Sequence, residues 1–155
     1  VQVEYHTSDS NKIGQAIKTP YKIEQGRLNT AGSKWTRVDD GTGALAGVWR
    51  ISGRMQDGKL VEIQPGPRKT LKILSGTRFQ WVAINPSVKG FYGTGGGTYT
   101  FSNGKYTENI EFFSRDSTRV GASLTFDGKV ENGSWNHSGL NSRGEQLNEV
   151  WRKVY

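Results

Sequence analysis

Cysteine is absent from the 155 residues. That excludes disulfides, thiolate metal sites and a cysteine nucleophile. Histidine occurs only twice, at His6 and His137, so a histidine-rich metal centre is not expected. No cofactor is expected either. No apolar run approaches the roughly 20 residues that a membrane-crossing helix needs. Helix signals are sparse, and only residues 11–17 suggest a short helical turn.

What is present is glycine, aromatic residues and positive charge. The chain has 21 glycines, five tryptophans, six tyrosines, six phenylalanines and a formal net charge of +7. Residues 1–43 are nearly balanced, with six basic and five acidic side chains. Residues 50–72 are not. They hold Arg50, Arg54, Lys59, Arg68, Lys69 and Lys72 against Asp57 and Glu62. Such a stretch either attracts an anionic partner or forms a solvated strand face with lysines blunting an edge. Its basic residues are not interleaved with aromatics, so nucleic acid is not an expected partner.

Short β-rich runs recur along the second part of the chain, at 47–53, 60–63, 70–74, 78–84, 91–101, 106–113, 119–126, 129–137 and 146–154. Between them lie Asp57-Gly58, Ser75-Gly76, Asn85-Pro86, Asn103-Gly104, Asp127-Gly128 and Asn132-Gly133. Asn-Gly and Asp-Gly tolerate the positive φ of tight hairpin turns. Even spacing with hairpin turns predicts an all-β fold, an antiparallel meander of about eight to ten strands. Closing it into an up-and-down β-barrel removes the exposed edges.

Residues 1–43 stand apart as a β-rich extension, with residues 44–155 as the barrel domain. Trp35-Thr36-Arg37-Val38 echoes Trp151-Arg152-Lys153-Val154. The extension therefore reads as a partial barrel repeat or as strands added to the main sheet. Self-association through it is an expected possibility.

Residues 90–101, GFYGTGGGTYTF, concentrate five glycines and four aromatics. The stretch fails as a phosphate loop. It lacks a Gly-Lys-Ser/Thr ending, the glycine spacing breaks at Thr98, and no helix follows to present its N-terminus. It runs instead into Asn103-Gly104, as a strand does. Glycines inside a strand mark a bend, a bulge or a close approach. By alternation Gly93, Gly95 and Gly97 share a face with Phe91, Tyr99 and Phe101. They leave room either for a ligand or for large rings such as Trp81 and Trp135.

The same alternation places Phe79, Trp81 and Ala83 together, as well as Tyr106, Glu108, Ile110 and Phe112. It also groups Val120, Ala122, Leu124 and Phe126, then Trp135 with His137, and Leu147, Glu149 and Trp151. Two apolar faces thus carry a carboxylate, Glu108 or Glu149. Buried, each needs a hydrogen bond or a cation. Each is either an anchor, an acid/base group or a salt-bridged rim residue. The expected ligand contacts are Trp81, Phe91, Tyr99, Tyr106, Glu108, Phe112, Trp135 and His137.

Gly47-Val48-Trp49 resembles the Gly-x-Trp signature of the first lipocalin (calycin) strand, where a basic residue of the last strand covers the tryptophan. Arg152 or Lys153 would supply it here, by stacking on the indole. Gly47, Trp49 and Arg152 are taken as this signature. Phe79-Gln80-Trp81, Gly95-Gly96-Gly97-Thr98-Tyr99, Tyr106-Thr107-Glu108-Asn109-Ile110 and Glu149-Val150-Trp151 resemble more closely a family of bacterial lipocalin-like domains. That family is usually exported and has no assigned activity. The resemblance implies a calycin-type barrel and export to the periplasm, cell surface or medium. A chain starting at Val1 suits removal of a signal peptide. The function expected is non-enzymatic binding of a small, partly apolar, hydrophobic ligand. The alternatives are a filled barrel engaging a protein or glycan, and an enzyme using Glu108 or Glu149.

Overall fold

The structure is a computed structural model, and it describes residues 1–141 and 143–154. Among these residues a small sheet comprises β1 (Tyr21–Glu24), β2 (Arg27–Thr30) and β3 (Ser33–Thr36). The main sheet comprises β4 (Gly47–Gln56), β5 (Lys59–Glu62), β6 (Lys69–Leu74), β7 (Arg78–Asn85), β8 (Gly90–Ser102) and β9 (Lys105–Phe113). It continues with β10 (Ser123–Glu131), β11 (Ser134–Leu140) and β12 (Gln146–Lys153). Its order is β12-β11-β10-β9-β8-β7-β6-β4-β5, and β12 also pairs with β4. Eight antiparallel strands therefore close a barrel. β5 is an extra strand, paired to the outer half of β4 as a hairpin.

Local chemistry makes the hairpins. Asp57, Asn103 and Asn132 have φ near +50°, and the glycines after them near +72°. Both central residues are thus left-handed, as the favoured two-residue hairpin turn requires. Asp127-Gly128 is not a turn. It lies within β10, where a Cβ on Gly128 would come 2.9 Å from Phe101 Cε2. That glycine serves close packing. The strand expected at 119–126 begins at Ser123 instead. Ser117–Arg119 form a 3₁₀ turn capped by Asp116, and Val120 is exposed.

Two β-bulges shift the expected faces. On β8, Ala83 pairs with Gly93 but Ile84 pairs with Phe91, so Tyr92 is the extra residue. On β9, Ile110 pairs with Gly97 but Phe112 pairs with Gly96, so Glu111 is extra. A one-residue slip moves every following side chain to the other face. Phe91 and Phe112 therefore point out of the barrel.

The small sheet is separate from the barrel sheet, so residues 21–36 add no strand to it. Trp35 is 59% exposed, whereas Trp151 is buried. The first residues of the chain do contact the barrel. Tyr5 stacks on Phe91 at 6.1 Å and accepts a hydrogen bond from Gln80 Nε2. Glu4 pairs with Lys69. This arm lies on the outer side of β7 and β8, the side to which Val82 and Ile84 belong, and both are buried.

Candidate functional site

One barrel end is closed by the connector between β3 and β4, residues 37–46, and by β4 itself. Trp49 is buried, and its Nε1 donates to Leu45 O at 2.7 Å. Trp135 meets its edge at 5.8 Å between centroids. The ammonium of Lys153 lies 5.7 Å from the Trp49 ring. Arg152 does not, because it stands across from Arg50 and is exposed. The cation over the signature tryptophan is therefore Lys153. Tyr99 OH donates to Ser75 O, so that ring also belongs to the closed end. Asp39 accepts from Ser75 Oγ, Thr77 Oγ1 and the amides of Gly76 and Thr77. These donors, the two hydroxyls first, hold its carboxyl far below the usual carboxylate range.

Above this plug lies a polar cluster inside an aromatic wall. Thr70, Lys72 and Leu74 alternate inward on β6, although this puts the apolar Leu71 and Ile73 on the outer face and a lysine inside. Closure decides this. Lys72 pairs with Trp49 across the strands, and Trp49 faces in. Lys72 Nζ sits 5.0 Å from the Tyr106 ring, 5.1 Å from Trp135, 5.5 Å from Trp151 and 5.7 Å from Phe79. It donates to Glu108 Oε1 at 2.6 Å, and Tyr106 OH donates to the same oxygen at 2.9 Å. Burial, then Glu108, pushes the Tyr106 hydroxyl well above its ordinary pKa.

His137 completes the cluster. It is 2% exposed and packs against Phe126 at 4.3 Å. Neither ring nitrogen has a hydrogen-bond partner among the described residues. Its Nδ1 is 3.8 Å from Glu149 Oε2, longer than a hydrogen bond. Burial, then Lys72, lowers the His137 pKa, so the imidazole is neutral near pH 7. Burial alone would raise the Glu149 carboxyl, but His137, Lys72 and Arg54 outweigh it and hold it low. A neutral imidazole offers one donor and one acceptor to whatever lies beside it.

The other end is open. A cavity of ≈ 430 Å³ leads from it down to Lys72, Glu108 and His137. Its walls include Ile51, Trp81, Ala83, Ile110, Phe113 and Leu124. Arg54, Arg68, Arg115 and Arg143 line it from the strand ends and loops of the open side. Such a volume lies within the range of small-molecule sites.

The structure thus gathers Trp81, Glu108 and His137 at the cavity. Tyr106 and Trp135 are fully buried beneath it, in the core. Tyr99 serves the closed end. Phe91 and Phe112 are corrected to the outer face by the bulges, and Phe112 is 42% exposed. Lys72, Arg54 and Arg68 stood out in the sequence only as part of a basic stretch, and Arg115 and Arg143 did not stand out at all; none was expected at the cavity. Lys72 was legible through its place opposite Trp49, once barrel pairing is assumed.

The glycines of β8 face protein rather than empty space. Gly93, Gly95 and Gly97 stand opposite Ala83, Trp81 and Phe79. A Cβ on Gly95 would lie 2.6 Å from Trp81 Nε1 and 2.8 Å from Phe113. One on Gly93 would lie 2.5 Å from Arg115 Nε, and one on Gly97 would strike the backbone of Asn109. Trp81 uses the space as expected; Trp135 does not.

No protein-family model matches this chain, and no curated protein matches its sequence. Among solved structures it is similar to a lipocalin-like protein from Bacteroides uniformis, at 16% identity and a TM-score of 0.49, covering 72% of this chain and 100% of that one. It is also similar to an uncharacterized protein from Bacteroides eggerthii, at 16% identity and a TM-score of 0.47, covering 70% of this chain and 98% of that one. By its own strand pairing and closure, the chain folds as a lipocalin-like antiparallel β-barrel with one added strand.

Proposed function

We propose that this protein binds a small, partly apolar molecule inside the barrel, without transforming it. The observation that carries this reading is the open ≈ 430 Å³ cavity with apolar walls and a buried polar floor. A barrel packed solid by its own side chains would leave no such volume. Glu108 favours binding over catalysis, because Lys72 and Tyr106 already occupy one of its oxygens. Export, implied by the sequence resemblance, belongs to this reading; fractionation of cells making the full gene product tests it.

The test fills the cavity. Ala83 lines it and is small. Ala83→Phe places a ring in the space while leaving the closed end untouched. A thermal-shift screen of small apolar and amphipathic compounds should find ligands that raise the melting temperature of the natural protein and not of Ala83→Phe. Equal shifts in both proteins would place binding elsewhere.

Self-association is a second reading, carried by the small sheet. Ile23 pairs with Leu28, and Leu28 with Trp35, so the three side chains form one row across a single face. All three are exposed. Sedimentation velocity over a hundredfold concentration range tests it. A monomer throughout would dismiss the reading, and a dimer abolished by Trp35→Ser would support it.

A further inference from the structure

We infer that the ligand of the barrel is an anionic amphiphile, whose acidic head is held at the rim by Arg68 and Arg115 while its apolar part enters the cavity. The inference rests on the cavity-binding reading above and adds the chemical class of the ligand.

Inside the barrel the cation is matched, because Lys72 is paired with Glu108 at 2.6 Å. The deep part of the cavity therefore holds no unmatched cation to draw an anion inward. At the open end the balance differs. Arg54, Arg68, Arg115 and Arg143 line the cavity there, against the carboxylates of Glu145 and Glu149. None of these four arginines forms an ion pair among the described residues. Strand direction explains the convergence. β4 runs out to Arg54 and β9 out towards Arg115, while Arg68 precedes β6 and Arg143 precedes β12. In an up-and-down barrel those four places share one end.

Two of the arginines are also held in place. Arg115 Nε donates to Tyr92 O at 2.8 Å, and its guanidinium lies 5.3 Å from the Trp81 ring. Arg68 lies 4.6 Å over the ring of Tyr92. Tyr92, the extra residue of the β8 bulge, therefore anchors both, one through its carbonyl and one through its ring. The absence of a side chain at Gly93 leaves the space that Arg115 occupies. A stacked guanidinium keeps its edge N–H groups free, and that fork fits carboxylate, sulfate or phosphate oxygens. Anchoring in advance lowers the ordering cost on binding. The net charge of +7 adds attraction at long range.

The experiment uses two dyes with one ring system: 8-anilinonaphthalene-1-sulfonate and the neutral N-phenyl-1-naphthylamine. Fluorescence titrations are run on the intact chain at low and high salt. We expect the sulfonate dye to bind at least about tenfold tighter than the neutral one, the scale of a charge-assisted contact. The preference should shrink at high salt. Arg68→Gln and the Arg68→Gln/Arg115→Gln pair should each lose sulfonate affinity and keep the neutral dye. Arg68 is exposed, so the single variant stands even where the pair perturbs the rim. Decanoate should displace the sulfonate dye and decanol should not. Equal affinity for the two dyes would overturn the anion preference and leave the cavity reading standing. Binding of neither dye would overturn both. Sulfonate binding unchanged in both arginine variants would overturn the assignment to this rim.

Discussion

Lys72 Nζ lies 2.6 Å from Glu108 Oε1, and both side chains are almost wholly withdrawn from water. Four aromatic rings surround the ammonium, and Tyr106 OH shares the same carboxylate oxygen. Taking a charge out of water is costly, and only the partner compensates it. Removing one partner therefore hurts more than removing both. Lys72→Met is expected to cost about 3–5 kcal/mol. The double variant Lys72→Met/Glu108→Leu should recover much of that loss. Urea unfolding of the single and double variants checks it, and a double variant worse than the single would refute the argument.

The buried imidazole makes stability fall in acid. His137 has its pKa lowered from the ordinary 6.5, by burial and then by Lys72. The unfolded chain therefore takes up this proton more readily than the folded one. Stability is fully present above the unfolded value of 6.5 and is lost as pH falls through the folded value. Glu149 and Asp39 have depressed folded values too, so their contributions are lost only below their ordinary 4.5 and 3.8. Thermal melts from pH 8 to 3 should show two declines, and His137→Gln should remove the first.

The glycines of β8 should differ in cost according to what each one faces. At Gly95 the nearest obstacle is the Trp81 indole, which borders the cavity and has room to move. Gly95→Ala should cost about 1–3 kcal/mol, the range of overpacked sites. At Gly97 the obstacle is the backbone of Asn109 and Glu111, which cannot turn aside. Gly97→Ala should cost more, or prevent folding. Gly66 has nothing within 4 Å, so Gly66→Ala is the control, within about 0.5 kcal/mol of the natural protein. Chemical denaturation ranks the three.

Asp39 ties the connector to the turn between β6 and β7 through four donors. Asp39→Ala should lower the melting temperature and free the connector. Limited proteolysis should then cut near residues 37–44 faster than in the natural protein. Unchanged cleavage would mean that Leu45 and Trp49 alone hold this segment.

Much of the fold was legible because its determinants are local. Asn103-Gly104 and Asn132-Gly133 specify hairpin turns wherever they fall, since few other pairs accept two positive φ angles. Alternation at Phe79, Trp81 and Ala83, or at Trp135 and His137, sorts inside from outside without reference to the rest of the chain. The misses share one cause. Phe91 and Phe112 precede or follow a bulge, and a bulge depends on the neighbouring strand. Gly128 looked like a turn because the rings of Phe101 and Trp135 that need its small size come from other strands.

The sequence by itself determined an antiparallel all-β chain with short turns, glycine-rich strands and carboxylates among aromatics. Those features depend on neighbours one to four residues apart. Only the tertiary structure decided that Lys72 is the partner of Glu108, because β6 and β9 come together only when the barrel closes. Closure likewise left the interior partly open and carried four arginines from distant stretches to one rim. Such long-range placement depends on register and strand direction around a closed sheet, and no short window of sequence contains it.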